Sequence, residues 1–270
     1  MHGDASASPI RVAVCGARGR MGQEMIVGLG HDPEIAIIGG CDPRPDDGTA
    51  LPDSPPIAPT LAALLDSVQA DVAVDFTTAE AAIDNARTAL DRGVPIVIGT
   101  TGLTKTHLEE IDSAARAARV AAFVAPNFAI GAILMIQFAR IASRFFDSAE
   151  IIEIHHDAKI DAPSGTALLA AEAMRAARSA PFAGDHVEKY VVEGARGGVH
   201  DDVHIHSLRM PGFVASHEVI FGGPGQSLRI RHDSIGRDSF VPGVAYAVKH
   251  IRGREGLVYG LDQLIDLGIG

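Results

Sequence analysis

The sequence lacks the features of a secreted or membrane protein. No apolar run approaches the roughly 20 residues needed to span a bilayer. The two cysteines, Cys15 and Cys41, do not make a disulfide framework, and a reducing cytosol would keep both as thiols. The first ten residues have neither the basic nor the apolar region of a signal peptide and predict a loose tail. The sequence therefore predicts a cytoplasmic protein with no membrane partner.

Positive charge is also scarce. The 270 residues include 23 Lys and Arg against 34 Asp and Glu, for a formal net charge of −11 at pH 7. A nucleic-acid partner needs a basic face, so this balance argues against one. Any anionic ligand must then be held by local cations and backbone dipoles against the overall field.

Short apolar strands alternate with amphipathic helices in the first half of the chain. The predicted strands cover residues 10–15, 35–40, 72–76, 95–98 and 120–125. The predicted helices cover residues 19–29, 79–92 and 104–118, and residues 43–59 form a predicted loop. Apolar strands separated by helices indicate a parallel sheet covered on both faces. The predicted fold class is α/β, with a Rossmann-type doubly wound parallel sheet.

The pattern changes after about residue 127. A helix is predicted over residues 130–146, a strand over 151–155 and a helix over 166–178. Strands and turns follow over residues 190–232, and the tail from Ser239 onward is predicted to be helical. We expect a second α+β domain with a mixed sheet. The predicted domains are residues 1–127 with 237–270, and residues 128–236.

A glycine loop follows the first strand and opens the first helix. Gly16, Gly19 and Gly22 are spaced as G-x-x-G-x-x-G. Glycines there permit a tight turn and close approach of a pyrophosphate, and the helix start supplies free N–H groups. Asp42 lies about 20 residues further on, where an acid accepts hydrogen bonds from a ribose. The pattern predicts a dinucleotide site; the alternative is a glycine-rich turn without a ligand.

Asp42 bears on the choice of cofactor. Its carboxylate would repel the 2′-phosphate of NADPH, and Pro43 offers no cation, although Arg44 and Arg20 are near enough to compensate. We expect NADH to be used at least as well as NADPH.

Two further loops follow the fourth and fifth predicted strands. Gly-Thr-Thr-Gly occupies residues 99–102 and Ala-Pro-Asn-Phe occupies residues 125–128. Ligands of open α/β sheets bind outside the carboxyl ends of the strands, so both loops are placed to face nicotinamide and substrate. Asp-Phe-Thr at residues 75–77 has a similar but weaker claim. Ordinary strand-to-helix turns are the alternative for all three.

A second cluster of reactive side chains lies in residues 153–167. His155 and His156 end a predicted strand, and Lys159 follows in a loop. A histidine titrates near neutrality and can donate a proton, while a lysine can hold a carboxylate. Ser164, Gly165 and Thr166 at a helix start offer donors to an anion. The segment predicts an anion site beside a proton donor, although each residue alone could be a surface or capping residue.

Three other histidines suggest a metal at first sight. His204 and His206 lie on one face of a predicted strand, and His200 precedes it. No cysteine or Glu-x-x-His pattern completes a ligand set. We interpret them as surface or interface histidines and expect no metal.

The motifs together resemble those of the dihydrodipicolinate reductase family, over nearly the full chain. The matching strings are Gly-Ala-Arg-Gly-Arg-Met-Gly at 16–22, the three motifs at 75–77, 99–102 and 125–128, and His-His-x-x-Lys-x-Asp-x-Pro-Ser-Gly-Thr at 155–166. The resemblance implies NAD(P)H-dependent reduction to tetrahydrodipicolinate in the diaminopimelate route to lysine. It also implies a small cyclic dicarboxylate substrate and a homotetramer assembled through the second domain.

The resemblance also implies roles for residues. His155 would be the proton donor, Lys159 the cationic catalytic partner, and His156, Gly165 and Thr166 would bind substrate carboxylate. The residues implied to line the cofactor are Gly16, Ala17, Arg18, Gly19, Arg20, Met21, Gly22, Asp42, Gly99, Thr100, Thr101, Ala125, Pro126, Asn127 and Phe128.

Two other functions stay open on the sequence. A Rossmann reductase of an aspartate-derived aldehyde or imine would keep the glycine loop but has no reason to keep residues 153–167. A dinucleotide-sensing regulatory protein would need neither His155 nor Lys159.

Overall fold

The computed structural model describes residues 8–45, 55–184 and 187–265. The start of the predicted N-terminal tail and residues 46–54 of the predicted loop lie outside these ranges. The chain divides into two compact units. Unit 1 comprises the residues up to Phe128 together with those from Phe240 onward, and unit 2 comprises Ala129–Ser239.

Unit 1 contains a seven-stranded parallel sheet. Numbered in chain order, its strands are β1 (Ile10–Cys15), β2 (Ile35–Cys41), β3 (Ile57–Ala58), β4 (Val72–Asp75), β5 (Ile96–Ile98), β6 (Ala121–Val124) and β12 (Gly256–Tyr259). Their order across the sheet is β12-β6-β5-β4-β1-β2-β3. The chain builds outward from β1 in both directions, so the topological switch point lies between β1 and β4, where ligands of such sheets bind.

Helices cover both faces of this sheet, which explains why Val12, Ala13 and Val14 of β1 are all buried. The helices are α1 (Arg20–Gly30), α2 (Leu61–Ser67), α3 (Ala79–Asp91), α4 (Lys105–Ala118) and α7 (Val241–Ile251). Helices α1 and α7 contact each other, and α2, α3 and α4 pack in a row within one apolar cluster. The predicted doubly wound α/β sheet is confirmed.

Unit 2 contains a mixed sheet of five strands. They are β7 (Ser148–His155), β8 (Gly198–His200), β9 (Val203–Arg209), β10 (Ala215–Gly223) and β11 (Gln226–Ser234), in the order β11-β10-β7-β9-β8. Strands β7 and β9 are parallel and the other pairs are antiparallel. Helices α5 (Ile130–Ala142) and α6 (Gly165–Ala176) share one apolar cluster with the sheet. The predicted second domain with a mixed sheet is confirmed.

Burial along β7 alternates, as expected for a strand with one covered face. Ala149, Ile151, Glu153 and His155 are buried, whereas the residues between them are partly exposed. The side chains of Glu153 and His155 therefore lie on the face that α5 and α6 cover.

Three elements correct the sequence prediction. The tail from Ser239 is not helical throughout, because Gly256–Tyr259 pairs with β6 as an edge strand between two glycines with φ of +76° and +93°. Residues 57–58 of the predicted loop pair with β2. Helix α2 was not predicted at all; Thr60 caps it by accepting the Ala63 N–H. No helix in the described part of the chain has the length and apolarity to cross a membrane.

Candidate active site

The glycine loop of unit 1 is shaped by two close approaches. Gly16 has a φ of +79°, a conformation that L side chains rarely adopt. A Cβ on Gly22 would lie 2.0 Å from the Gly16 carbonyl oxygen, so α1 packs directly onto the loop. Gly19 is the extended residue that precedes α1, and the helix starts with Arg20 and Met21. The first turn of α1 thus points its N–H groups out of a loop that glycine alone can form.

We expect Gly22→Ala to lower the free energy of unfolding by about 1–3 kcal/mol, because the added Cβ forces the loop or the helix to move. It should also weaken NADH binding. Gly30→Ala is the matched control: it lies in the same helix, nothing lies within 4 Å of its added Cβ, and alanine should stabilise the helix there. Urea unfolding and NADH fluorescence measure both effects. Equal stability of the two variants would contradict this account of the loop.

Asp42 follows β2 and is buried, with both carboxylate oxygens occupied. It accepts the backbone N–H groups of Arg18 and Arg44, each at 3.0 Å. The Arg44 guanidinium donates through Nε at 2.9 Å and through Nη2 at 2.7 Å. The guanidinium hydrogen bonds lower the pKa of Asp42, and burial opposes them. The charge that would repel a 2′-phosphate is therefore paired with a cation two residues away.

A cleft of about 270 Å³ lies at the carboxyl ends of the strands of unit 1. It is lined by Met21, Phe76, Thr77, Gly99, Thr100, Thr101, Pro126, Asn127, Phe128 and Phe240. Seven of these ten were predicted to line the cofactor. Ala125, also predicted, is buried directly after β6. Phe76, Thr77 and Phe240 were not predicted as site residues, although residues 75–77 had been noted; Phe240 carries no sequence signal.

The buried carboxylate of Asp75 organises two of the cleft's loops. Its Oδ1 accepts the Thr100 hydroxyl at 2.7 Å and the Thr77 hydroxyl at 2.8 Å, and its Oδ2 accepts the Asn85 amide at 2.8 Å. Burial raises the pKa of Asp75, and the hydrogen bonds from Thr100, Asn85 and Thr77 oppose this shift. The loop after β4 is thereby tied to the loop after β5. Between them, the Phe76 ring covers Gly99, whose added Cβ would lie 2.1 Å from it.

In unit 2, His155 ends β7 and is buried beside Glu153. The two side chains share a face because they are two residues apart on a strand. His155 Nδ1 lies 2.5 Å from Glu153 Oε2, and the Glu153 side chain is fully buried. His156 lies just beyond the strand end and is exposed. The two histidines therefore differ in environment, because the strand ends between them.

The start of α6 lies against the same carboxylate. The Ser164 N–H donates to Glu153 Oε1 at 3.2 Å, and the Ser164 hydroxyl accepts the Ala167 N–H as the helix cap. Gly165 and Thr166 form the first turn of this helix. Their position suits an anion, because the positive end of the helix dipole lies at the first turn of a helix.

Lys159 lies in the loop between β7 and α6, with its side chain about one-fifth exposed. Its Nζ is 2.7 and 2.8 Å from the two carboxylate oxygens of Asp161. Arg209 Nη2 donates to the Asp161 carbonyl oxygen at 2.6 Å, which anchors the same loop to β9. The loop of Lys159 is thus linked through Arg209 to Glu153, the carboxylate that also binds His155 and the start of α6.

His217, on β10, is a neighbour of His155 that the sequence did not indicate. Its Nε2 lies 2.8 Å from the Ser164 hydroxyl, and its ring centroid is 5.2 Å from that of His155. Burial and the nearby His155 lower the pKa of His217 to about 4. The ring is therefore neutral at pH 7. Glu153 could have been found from its spacing to His155, whereas Arg209 and His217 needed the strand register.

The three histidines of β8 and β9 bind protein groups. His206 Nε2 is 2.8 Å from Glu150, His204 Nδ1 is 2.7 Å from the Arg196 carbonyl oxygen, and His200 is 3.2 Å from Glu172. Within the described ranges, no group of three or more His, Cys, Asp and Glu could hold a metal ion.

Unit 1 has the parallel sheet, the glycine loop and the cleft of a dinucleotide-binding domain, and unit 2 has a histidine–carboxylate pair. Together these features are those of an oxidoreductase that uses a nicotinamide dinucleotide. Two family descriptions match the sequence: "Dihydrodipicolinate reductase, N-terminus" over residues 10–128 and "Dihydrodipicolinate reductase, C-terminus" over residues 131–265. The chain belongs to the dihydrodipicolinate reductase family.

Individual relatives agree with this assignment. The chain is 49% identical over 263 residues to the 4-hydroxy-tetrahydrodipicolinate reductase of Moorella thermoacetica, covering 95% of this chain and 98% of that protein. It is 44% identical over 264 residues to the same enzyme of Dehalococcoides mccartyi, covering 96% and 100%. A dihydrodipicolinate reductase from Paenisporosarcina sp. TG-14, solved with dipicolinate bound, superposes with a TM-score of 0.86 at 38% identity, covering 95% and 100%.

An amine dehydrogenase from Mycobacterium smegmatis superposes with a TM-score of 0.65 at 14% identity, covering 96% of this chain and 97% of that one. At that identity it shows the shared fold alone.

Proposed function

We propose that this chain is a 4-hydroxy-tetrahydrodipicolinate reductase. It would use a nicotinamide dinucleotide to reduce a small cyclic dicarboxylate to tetrahydrodipicolinate in the diaminopimelate route to lysine. The observation that carries the proposal is that one buried carboxylate, Glu153, binds His155 and the start of α6 directly and is linked through Arg209 to the loop of Lys159. The dipicolinate bound to the Paenisporosarcina relative is a cyclic dicarboxylate and supports this substrate class.

The residues of unit 1 fit a dinucleotide. A Cβ at Gly16 or Gly22 would meet backbone atoms of Phe76 or of Gly16. Glycine at these positions therefore lets the loop turn tightly into α1, as a pyrophosphate-binding loop requires. The predicted residues 16–22 would hold the pyrophosphate, Asp42 the ribose, and the loops after β5 and β6 the nicotinamide. When bound, the nicotinamide supplies a hydride to the substrate.

The residues of unit 2 supply the other requirements of a reduction. Hydride addition to an electron-poor ring leaves negative charge that a proton must neutralise, and His155 can donate that proton. Lys159 can offset the developing charge and hold a carboxylate. His156, Gly165 and Thr166 would bind a substrate carboxylate through the exposed ring and the first turn of α6. These roles are proposals, as is the division of cofactor and substrate binding between the two units.

The test supplies the purified protein with the product of the preceding synthase, made in the cuvette from pyruvate and aspartate semialdehyde. The decrease in NADH or NADPH absorbance is then followed. The proposal requires oxidation that depends on both precursors and on the protein. Absence of oxidation would contradict the reductase, and NADH binding without oxidation would favour a dinucleotide sensor. Oxidation with the open-chain aldehyde alone would indicate a different Rossmann reductase.

The pairing of Asp42 with Arg44 refines the expectation on cofactor choice. We expect kcat/KM for NADH to equal or exceed that for NADPH, because Asp42 can serve the ribose while Arg44 offsets its charge. Arg44→Gln should lower kcat/KM for NADPH by about tenfold and that for NADH much less, since it leaves Asp42 unpaired. Arg87→Gln, on α3, is the control for loss of an arginine. A hundredfold preference of the parent for NADPH would contradict this account.

We also propose a cytoplasmic homotetramer assembled through unit 2. In the described part of unit 2, helices α5 and α6 pack on one face of the sheet. On the other face, Ile152, Ile154 and Ile220 remain partly exposed. A partly apolar sheet face of this kind suits a contact between subunits.

A further inference from the structure

A row of polar side chains crosses the sheet of unit 2 beneath α5 and α6. Ser207 on β9 is in register with Glu153 on β7, Glu153 with His217 on β10, and His217 with His232 on β11. The next row on this face is apolar, with Ile205, Ile151 and Val219 in register. Glu153 is thus a carboxylate at the centre of a sheet, at the border of the apolar core, and a buried charge there must be compensated.

The charge of Glu153 is compensated by hydrogen bonds from groups that the proposed mechanism uses. Oε2 receives hydrogen bonds from His155 Nδ1 at 2.5 Å and Arg209 Nη1 at 2.9 Å. Oε1 receives them from Arg209 Nη2 at 2.9 Å and the Ser164 N–H at 3.2 Å. His155 and the start of α6 bind this one carboxylate directly, and the loop of Lys159 is attached to it through Arg209.

The carboxylate is held in its ionised form. Burial raises its pKa, but the hydrogen bonds from His155, Arg209 and Ser207 outweigh burial and hold the pKa far below the usual range. An ionised Glu153 accepts hydrogen bonds and cannot donate, so His155 must carry a proton on Nδ1. The second ring nitrogen, Nε2, is then the atom that can give up a proton.

We propose that Glu153, held by Arg209, is the positioning residue for proton transfer: it orients His155 through Nδ1 and stabilises the imidazolium that donates from Nε2. This inference rests on the proposed function, since it takes His155 as the proton donor. In the step, the Nε2 proton passes to the ring carbanion formed by hydride addition. The imidazolium becomes a neutral imidazole that keeps its Nδ1–H on the carboxylate, and Glu153 stays ionised throughout.

Several charged or titratable groups face His155. Glu153 approaches from its own strand, Arg209 from β9 and His217 from β10, while Lys159 and Asp161 lie in the loop. Lys159 is paired with Asp161, Arg209 is bonded to Glu153, and His217 is neutral at pH 7. Removing the charge of Glu153 leaves Arg209 beside the histidine without its partner.

The decisive variant is Glu153→Gln, and Glu150→Gln is its matched control. Glu150 is also on β7 and also pairs with one arginine and one histidine, Arg196 and His206, on the opposite face of the sheet. In Glu153→Gln we expect kcat to fall by about 100-fold. The KM for substrate and the Kd for dipicolinate should stay within about threefold of the parent values, because no substrate contact is removed. Glu150→Gln should retain the parent kcat.

Two readouts separate positioning from a general structural defect. The basic limb of the pH–kcat profile should move to lower pH by about one unit or more, because the imidazolium loses its counter-ion. The ¹⁵N-labelled histidine rings are also titrated by NMR, and the His155 signals are assigned as those missing from His155→Gln. Among the histidines, the titration curve of His155 alone should move to lower pH in Glu153→Gln. An unchanged profile, or a parent-like kcat in folded Glu153→Gln, would overturn the proposal.

A second variant covers the case in which the amide variant does not fold, since breaking a buried ion pair is costly. Glu153→Asp keeps the charge and withdraws it by one methylene group. We expect its kcat to fall about tenfold with KM retained and with the parent pH profile; a parent-like kcat would overturn the positioning role.

The NMR titration needs no turnover. If the parent oxidises neither NADH nor NADPH, the proposed function fails, while the dependence of His155 on Glu153 is still measured.

Discussion

His155→Gln lowers kcat by about 10²–10⁴-fold, whereas the affinity for dipicolinate changes by less than about threefold. Glutamine has nearly the length of histidine, and Arg209 and the Ser164 N–H still donate hydrogen bonds to Glu153, so the fold of β7 should persist. Glutamine cannot lose a proton at neutral pH, so the proposed step that neutralises the reduced ring loses its donor. A proton donor acts mainly in the transition state, and the loss therefore falls on kcat.

The measurement compares steady-state kinetics with dipicolinate binding by calorimetry in the same preparation. His200→Gln is the control, because His200 also lies at a strand end in unit 2 and pairs with a glutamate, Glu172. It should keep the parent kcat. If His155→Gln loses affinity and kcat in equal proportion, His155 binds substrate and another group donates the proton.

Lys159→Ala lowers kcat by about 100-fold and also raises KM, which distinguishes it from His155→Gln. The lysine is a cation in the loop between His155, the proposed proton donor, and the start of α6, and its Nζ is held by both oxygens of Asp161. Its removal leaves the carboxylate of Asp161 unopposed beside a site for an anion. Both the ground state and the charged transition state should therefore be destabilised.

Lys105→Ala is the control, since Lys105 is exposed on α4 and pairs with Glu109. Initial rates over a range of substrate concentrations measure kcat and KM for both variants. Near-normal turnover of Lys159→Ala would show that this lysine is an ordinary surface group. Lys159→Arg tests geometry, because a planar guanidinium replaces a compact ammonium and should restore KM more than kcat.

The glycine loop could be predicted from the local sequence pattern more completely than the cleft beside it. The loop is contiguous, and its requirement for glycine arises from contacts six residues apart. A sequence motif can therefore represent it. The cleft above it depends on Phe76, Phe128 and Phe240, which three separate segments supply. Their proximity is a consequence of strand order and of the chain's return to unit 1 after unit 2.

The same division holds for the proposed site in unit 2. The sequence by itself determined the class of sheet, the dinucleotide loop and the set of His155, Lys159 and α6, because hydrophobic periodicity and glycine spacing are local properties. Only the tertiary structure decided that Glu153 is buried at their centre, with Arg209 and His217 arriving from β9 and β10. Strand register is set by packing across the sheet, and a buried carboxylate acquires its partners only when that register is formed.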